Sequence, residues 1–277
     1  MKTRIKILTA IIGISALGIS SRTAQATSLL QETFSFPDGD LKLAAGSLWV
    51  SHGGGSTPLN VVSGQAYIDQ NDATSGRDDY NRPLSSTFDP STDNTSVLYS
   101  AFTANFTALP FLSGTAVNGS YFAHFKSSAS AEFYGRIGAS TTGAGAGAFR
   151  LSIANESGTP VFLAQDLNLN TTYTVVTRLD LSTDKVTLWV NPTLETDTSI
   201  TDVAGAITYA AGSISAYALR QGTTGSSGNV GAPGDILIDD LRVATSFAEA
   251  IAPIPEPSSL GLLGLGAMAA MTLRRRK

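Results

Sequence analysis

Few residues of this 277-residue chain have the types and spacing that catalysis requires. Glu195 and Asp197 come closest, because carboxylates at alternate strand positions share a face and retaining glycosidases hold two carboxyl groups about 5–5.5 Å apart. They follow Pro192 in a predicted loop, and no third carboxylate extends the run. The chain has no cysteine and only two histidines, His52 and His124, which are too few for a histidine-rich metal site. We therefore predict no catalytic residues and a protein that is not an enzyme.

A group of acidic residues could supply the oxygen ligands that hard divalent cations prefer. Asp69, Asp72, Asp78 and Asp79 lie close together in the sequence and would suit calcium, although their spacing does not match an EF-hand loop. The alternative is a solvated turn, in which Asp side chains accept hydrogen bonds from their own backbone. No cofactor is predicted, and calcium at these four residues stays open as an alternative.

The two tryptophans could provide rings that stack on sugars. Alternation in a predicted strand at 186–190 turns Val186 and Leu188 to one face, so that Trp189 lies on the other. Trp49 lies close to three consecutive glycines and is the second candidate. The alternative is that both rings are buried, as aromatic side chains generally are. Trp49 and Trp189 are the ligand-binding residues that the sequence predicts.

Residues 1–26 are typical of a secretory signal peptide. A basic start precedes an apolar run at 7–19, which is shorter than the ~20 residues that a membrane-spanning helix needs. Ala24 and Ala26 then supply the small-x-small pattern that signal peptidase accepts. The sequence therefore predicts an exported protein that is cleaved after Ala26.

The C-terminal segment combines three features in a fixed order. A Pro-Glu-Pro motif precedes an uncharged apolar stretch at 258–273, and four basic residues end the chain. The positive-inside rule would keep that basic end in the cytoplasm, so the apolar helix would anchor the chain in the membrane transiently. A plain membrane anchor is the alternative. The predicted sorting-signal residues are Pro255, Glu256, Pro257, Arg274, Arg275, Arg276 and Lys277.

This arrangement resembles the PEP-CTERM sorting signal of Gram-negative bacteria that make exopolysaccharide. The resemblance covers only the end of the chain. It implies processing by exosortase, a transpeptidase-like membrane enzyme that cuts near the Pro-Glu-Pro motif and sends the protein outward.

Charge is distributed unevenly along the chain, although the formal net charge is only −4 at pH 7. Eight of the 18 Lys and Arg residues lie in the two terminal segments, whereas all 22 Asp and Glu residues lie between Glu32 and Glu256. The exported part therefore carries −12. Because such a domain repels phosphate backbones and anionic membrane surfaces, we predict no nucleic-acid partner. Neutral glycans and divalent cations are compatible with this charge.

The part of the chain between the terminal segments is predicted to be all-β. Short alternating runs recur between clusters of Gly, Ser, Asn, Asp and Pro. Runs at 172–180 and 186–190, joined by a polar turn, predict a hairpin. A run at 120–126 places His124 in a strand, where we expect it to be isolated rather than a ligand. Further strands are predicted at 30–36, 65–70, 97–106, 132–138, 149–154, 161–165, 213–220 and 235–243.

Three segments of this central part resemble the concanavalin A-like, laminin-G-like jelly rolls. They are an opening at 29–39 (L-L-Q-E-T-F-S-F-P-D-G), a middle strand at 185–192 (K-V-T-L-W-V-N-P) and a closing strand at 236–247 (I-L-I-D-D-L-R-V-A-T-S-F). The resemblance implies an antiparallel two-sheet jelly-roll sandwich, flanked by an N-terminal signal helix and a C-terminal transmembrane helix. The predicted units are the signal peptide at 1–26, the sandwich at 27–249, and the linker with the sorting signal at 250–277.

These features predict a protein exported across the inner membrane of a Gram-negative bacterium to the cell surface or extracellular matrix. The expected role is non-catalytic, as a structural or adhesive component of exopolysaccharide or biofilm. A calcium-assisted, lectin-like carbohydrate-binding module is the first alternative, and a divergent glycan-active enzyme is the second. The expected partners are signal peptidase and exosortase during export and extracellular polysaccharide afterwards.

Overall fold

Alternating apolar residues between turn-forming clusters build an antiparallel β-sandwich. The computed structural model describes residues 28–69, 76–92, 95–112, 120–128, 133–156, 158–202, 213–221 and 231–254. The predicted signal peptide with Ala24 and Ala26, and the predicted sorting residues from Pro255 to Lys277, lie outside these residues. Within the described part, no helix is long and apolar enough to cross a membrane.

The described residues form many short strands and one short helix. In chain order these are β1 (Ser28–Glu32), β2 (Gly39–Asp40), β3 (Val50–Ser51), β4 (Asn60–Val62), β5 (Gln65–Ile68), β6 (Tyr80–Phe88), β7 (Val97–Phe106), β8 (Phe111–Leu112), β9 (Ser120–Ser127), β10 (Phe133–Ser140), β11 (Ala148–Ala154), β12 (Val161–Phe162), β13 (Leu167–Asn168), β14 (Thr172–Asp180), β15 (Lys185–Val190), β16 (Ser199–Asp202), β17 (Ile214–Leu219), β18 (Gly231–Ala232), β19 (Ile236–Ala244) and α1 (Phe247–Ile251).

Two antiparallel sheets form the sandwich, and this confirms the predicted all-β, two-sheet fold class. Sheet 1 has the order β16-β15-β14-β7-β19-β5-β4-β2, with β1 paired to β19. Sheet 2 has the order β12-β11-β10-β9-β17-β6-β3, with β13 paired to β11. The pairing of β1 with β19 brings the two ends of the described chain together.

Aromatic side chains from both sheets join in the core. Phe122 of sheet 2 lies edge-on to Phe102 and Phe106 of sheet 1, with ring centroids 6.2 and 5.7 Å apart. Phe106 also packs on Phe149 at 4.2 Å. Since these four side chains are at most 1% exposed, they tie the inner faces of the two sheets together.

Strong alternation gave accurate strand bounds. β7 and β14 span the predicted residues, and the predicted hairpin is present, with Asp180 opposite Lys185 at the turn. By contrast, β6 is a strand that the sequence analysis did not anticipate. α1 was not anticipated either, and it overlaps the start of the segment at 250–277 that we expected to begin as a linker.

Candidate functional site

The outer face of sheet 2 carries an unusual group of polar side chains on β9. Phe122, Ala123 and Phe125 of this strand all lie in the core, so β9 departs from strict alternation, as the register shifts in its pairing with β10 also indicate. The rings of Tyr121 and His124 lie together, 5.4 Å apart, and Lys126 lies on the same face as His124. Their neighbours on β17 are small, since Ala218 lies opposite His124 and Ala216 lies opposite Lys126. Three further side chains join them, and we call the whole set the basic–aromatic cluster. Its members are His52, Tyr121, His124, Lys126, Arg136 and Arg220.

His52 reaches the basic–aromatic cluster from the loop that follows β3. Its backbone N–H donates to the carbonyl oxygen of Asp79 at 2.8 Å. The same loop continues to Gly55, which lies so close to the backbone of Arg77 that a Cβ atom would overlap it. Glycine at this position therefore lets the loop approach sheet 2 and hold His52 beside β9.

Tyr121 lies between two guanidinium groups. The Cζ atoms of Arg220 and Arg136 are 4.4 and 5.1 Å from the centre of its ring. Arg220 is fixed by a hydrogen bond to the Ser120 hydroxyl at 2.8 Å, and Arg136 donates to the carbonyl oxygen of Gly158 at 3.3 Å. Each contact leaves other N–H donors of the guanidinium groups available, because arginine has five.

His124 is fully buried and without hydrogen-bond partners. Its ring centroid lies 4.6 Å from that of Phe133, 5.4 Å from Tyr121 and 6.1 Å from His52. Neither of its ring nitrogens has a hydrogen-bond partner in the described part of the chain, although its exposure is 0%. Such an arrangement is costly, since an unpaired buried polar group loses its hydration without compensation.

Both imidazoles are neutral at pH 7. Burial, assisted by the positive charge of Lys126, lowers the pKa of His52 to about 4. Burial also holds the pKa of His124 well below its ordinary value. A neutral imidazole carries one donor and one acceptor nitrogen, but in both rings these nitrogens are shielded from solvent.

The cations of the basic–aromatic cluster are incompletely matched by carboxylates. Lys126 is 9% exposed and donates to the carbonyl oxygen of Ser127 at 3.0 Å, and burial lowers its pKa. Among the described residues, neither Lys126 nor Arg136 forms an ion pair. Arg220 is 3.7 Å from Asp79, a carboxyl whose pKa burial raises to about 6. The domain is thus acidic overall, but three of its basic side chains, Lys126, Arg136 and Arg220, are gathered at this face.

The predicted calcium ligands serve the fold instead. Asp69 pairs with Arg77 at 3.3 Å. Asp78 is buried and accepts hydrogen bonds from the Ser51 hydroxyl at 2.7 Å and from Lys42 at 3.2 Å. Burial acts to raise the pKa of Asp78, but these hydrogen bonds and the charge of Lys42 outweigh it, so that the pKa is lowered. Two of the predicted ligands are therefore already neutralised by cations, which would repel calcium.

The two other predicted ligands do not complete a metal site. Asp79 accepts the backbone N–H of Gln221 at 2.9 Å and faces Arg220. Asp72 lies outside the described residues. No group of three or more acidic or histidine side chains in the described ranges could hold a metal ion. The contacts of Asp69, Asp78 and Asp79 thus favour the structural alternative over calcium binding.

The predicted sugar-stacking tryptophans are also corrected, because each is only 2% exposed. Trp49 stacks on Phe34 with ring centroids 5.6 Å apart and donates its indole N–H to Glu32 at 2.9 Å. Trp189 packs edge-on against Phe247 of α1 at 5.8 Å. Since neither ring face reaches solvent, neither tryptophan can serve as a sugar platform in this conformation.

Sequence reasoning missed the basic–aromatic cluster because its members come from separate segments. His124 was expected to be isolated, yet His52 approaches it from a loop 72 positions earlier in the chain. One signal was available in the sequence. Tyr121, His124 and Lys126 lie in one run, in a central domain that contains few basic residues.

Comparison with known proteins identifies the end of the chain. A family model described as the PEP-CTERM protein-sorting motif matches residues 253–277, which confirms the predicted sorting signal. No curated protein sequence matches the chain.

The solved structures that resemble the chain are remote. An alginate lyase bound to an alginate trisaccharide has 14% identity and a TM-score of 0.49, over 78% of this chain and 97% of the lyase. Peanut lectin has 14% identity and a TM-score of 0.42, over 80% and 98%. The CBM2 module of the evolved Dit protein of Lactobacillus casei BL23 phage J-1 has 11% identity and a TM-score of 0.46, over 79% and 96%. At these values the similarities assign neither a ligand nor an activity.

Proposed function

We propose that this exosortase-processed surface protein is an adhesive component of the extracellular matrix that binds acidic polysaccharide through its basic–aromatic cluster. The observation that carries the proposal is the ring of Tyr121 held between Arg136 and Arg220, with Lys126 on the same strand. The sorting motif at 253–277 supports the place of action, because it is typical of exported envelope proteins.

The chemistry of the basic–aromatic cluster favours sugars that carry carboxylates. A guanidinium group matches a carboxylate with two parallel hydrogen bonds, and such charge-assisted bonds are stronger than neutral ones. The ring nitrogens of His52 and His124 are buried, so the sugar would be contacted by the arginines and Tyr121 rather than by the imidazoles. The negative charge of the remaining surface would repel a polyanion elsewhere, so binding would be confined to the face that carries these basic side chains.

A second candidate function rests on His124. Its neutral imidazole has two nitrogens without partners and lies below cations that could neutralise a uronate carboxylate. Because the ring is 0% exposed, it would first have to become accessible to the substrate. It could then remove the proton from the carbon next to that carboxylate, after which the glycosidic oxygen would leave, taking a proton from water, and a carbon–carbon double bond would form. This divergent glycan-active enzyme is the alternative to simple adhesion.

Affinity electrophoresis tests the adhesive proposal. A gel containing a polyuronate should retard the protein, whereas a gel containing a neutral glucan should not, and added salt should weaken the retardation. Arg136→Gln should weaken binding about tenfold, because a charge-assisted hydrogen bond is worth about 1.5–3 kcal/mol. Arg150→Gln is the matched control, since Arg150 is also half-buried in sheet 2 but pairs with Asp166. Equal retardation in both gels would contradict the proposal.

Ultraviolet absorbance separates adhesion from catalysis. Incubation with the polyuronate should produce no absorbance from unsaturated uronate ends if the protein only binds. A steady increase that His124→Leu abolishes would instead establish the second candidate function.

A further inference from the structure

The last described residues are packed onto the domain although they directly precede the Pro-Glu-Pro motif. α1 begins after Ser246, whose hydroxyl accepts the backbone N–H of Glu249 at 3.3 Å as an N-cap. Phe247 and Ala250 on this helix are buried. Phe247 lies edge-on to both Tyr99 and Trp189, with ring centroids 6.1 and 5.8 Å apart.

Arg242 of β19 holds the same segment from the side. It is 3% exposed, and its two terminal nitrogens each donate to a different backbone carbonyl, that of Glu249 at 3.0 Å and that of Pro253 at 3.0 Å. It also pairs with the Glu249 carboxylate at 3.2 Å. The chain is therefore tied to the outer face of sheet 1 up to Pro253, two residues before the motif. We call residues 246–253 the docked segment.

We propose that the docked segment stays in the mature protein, and that Arg242 is a positioning residue which confines the sorting cut to bonds beyond Pro253. A peptide bond can enter an enzyme's active site only if the backbone around it is free of other contacts. The backbone of the docked segment is not free, because Arg242 binds two of its carbonyl groups. In the cut, one peptide C–N bond breaks, its acyl carbon passes to water or to an amine acceptor, and its nitrogen leaves as a free amine.

Loss of the docked segment would also damage the domain. Phe247 and Ala250 cover an apolar patch on sheet 1 that consists of Tyr99, Ala101, Val176, Trp189 and Ala244. A cut before α1 would expose this patch, and its burial contributes about 25 cal/mol per Å². Retention of α1 therefore serves the stability of the released protein.

The hydrogen bond from Arg242 to the Pro253 carbonyl oxygen also limits how the domain can be oriented relative to the membrane. Five residues lie between Ile254 and Leu260, the first apolar residue after Ser258 and Ser259, so the six steps from Ile254 to Leu260 span at most about 22 Å at ~3.6 Å each. While the anchor is inserted, the α1 side of sheet 1 must therefore lie near the membrane. The basic–aromatic cluster on the outer face of sheet 2 would then point away from it.

Mass spectrometry of the processed protein tests this inference, which rests on the export part of the proposed function and not on polysaccharide binding. The full-length chain should be expressed in a bacterium that has an exosortase, and the C-terminal peptide of the released protein should be identified. We expect a C-terminus beyond Pro253. A product that ends at or before Pro253 would overturn the inference alone, whereas a chain that keeps its basic tail would overturn the sorting proposal as well.

Arg242→Gln tests the role of the arginine. It should add shorter products that end within the docked segment and that are absent from wild type. Arg178→Gln is the matched control, because Arg178 is also on sheet 1 and pairs with Glu195. A purely structural Arg242 would change the melting temperature and not the C-terminus, so identical C-termini in wild type and Arg242→Gln would refute the positioning role.

Discussion

The outer face of sheet 1 is covered by the chain itself, whereas the outer face of sheet 2 presents cations that lack carboxylate partners. On sheet 1, α1 packs over an apolar patch, and Arg178 and Arg242 are both ion-paired. On sheet 2, Lys126 and Arg136 have no ion pair among the described residues, and both nitrogens of His124 are unpaired.

This difference separates the part of the domain that is built for stability from the part that supports function. In the described part of the chain both faces contain buried nitrogens without partners, such as the Trp189 indole on sheet 1 and the His124 ring on sheet 2, so the faces differ in the pairing of their cations. We therefore assign a structural role to the sheet 1 face and the ligand to the sheet 2 face. Substitutions on the sheet 1 face should therefore change mainly stability, whereas those on the sheet 2 face should change mainly ligand binding.

The largest expected effect comes from removal of the cover on sheet 1. Phe247→Ala should lower the free energy of unfolding by about 3 kcal/mol, because it leaves a cavity beside Tyr99 and Trp189. Urea denaturation measures this change, and polyuronate binding should persist. Leu194→Ala is the matched control, since Leu194 is 61% exposed and should cost less than about 0.5 kcal/mol. Similar losses for both variants would show that α1 does not close this face.

The next effect is the response of stability to acid. The native pKa of His52 is about 4 against an ordinary value of 6.5, and that of His124 is also lowered, so their contribution is complete above pH 6.5 and is lost as the pH falls towards 4. Asp79 acts in the opposite sense, because its raised pKa of about 6 makes its contribution complete below 3.8 and lost as the pH rises through 6. Because the two imidazoles together contribute more to the free energy of unfolding than the one carboxyl, the melting temperature should fall as the pH is lowered from 6.5 to 4.5.

Calorimetry in this pH range should compare the melting temperatures of the wild-type protein and of a His124→Leu variant. We expect a fall of several degrees, since 1 kcal/mol moves the melting temperature of a domain of this size by about 2–4 °C. His124→Leu should make the melting temperature depend less steeply on pH. An unchanged slope would mean that the buried imidazole of His124 is not the titrating group.

The smallest effect should have the opposite sign. At pH 7, His124→Leu should raise the free energy of unfolding by about 1 kcal/mol, because it replaces an unpaired buried polar ring with an apolar side chain. A loss of stability, measured by urea denaturation, would contradict the contrast between the two faces.

The sequence predicted strand bounds correctly where apolar and polar residues alternate without interruption. β7 and β14 alternate cleanly over their whole length, so their bounds match the prediction. β6 was missed because Pro83 and several polar residues hide its alternation. α1 was missed because its five residues are too few to show a helical period.

The candidate site could not be predicted in the same way. Its arrangement depends on strand register, which places Ala218 opposite His124, and on a loop that brings His52 beside β9. The error on Trp189 has a related cause. Alternation correctly placed this ring on the second face of β15, but α1 covers that face, and nothing local to β15 reveals it.

The most direct test of the account is an NMR titration of the exported domain with a short oligouronate. Binding at the basic–aromatic cluster predicts that the amide signals of Tyr121, His124 and Arg220 shift on addition of the sugar, while those of Trp189 and Phe247 stay in place. Shifts that centre on Trp189 and Phe247, or no shifts at all, would contradict the assignment of the ligand to sheet 2.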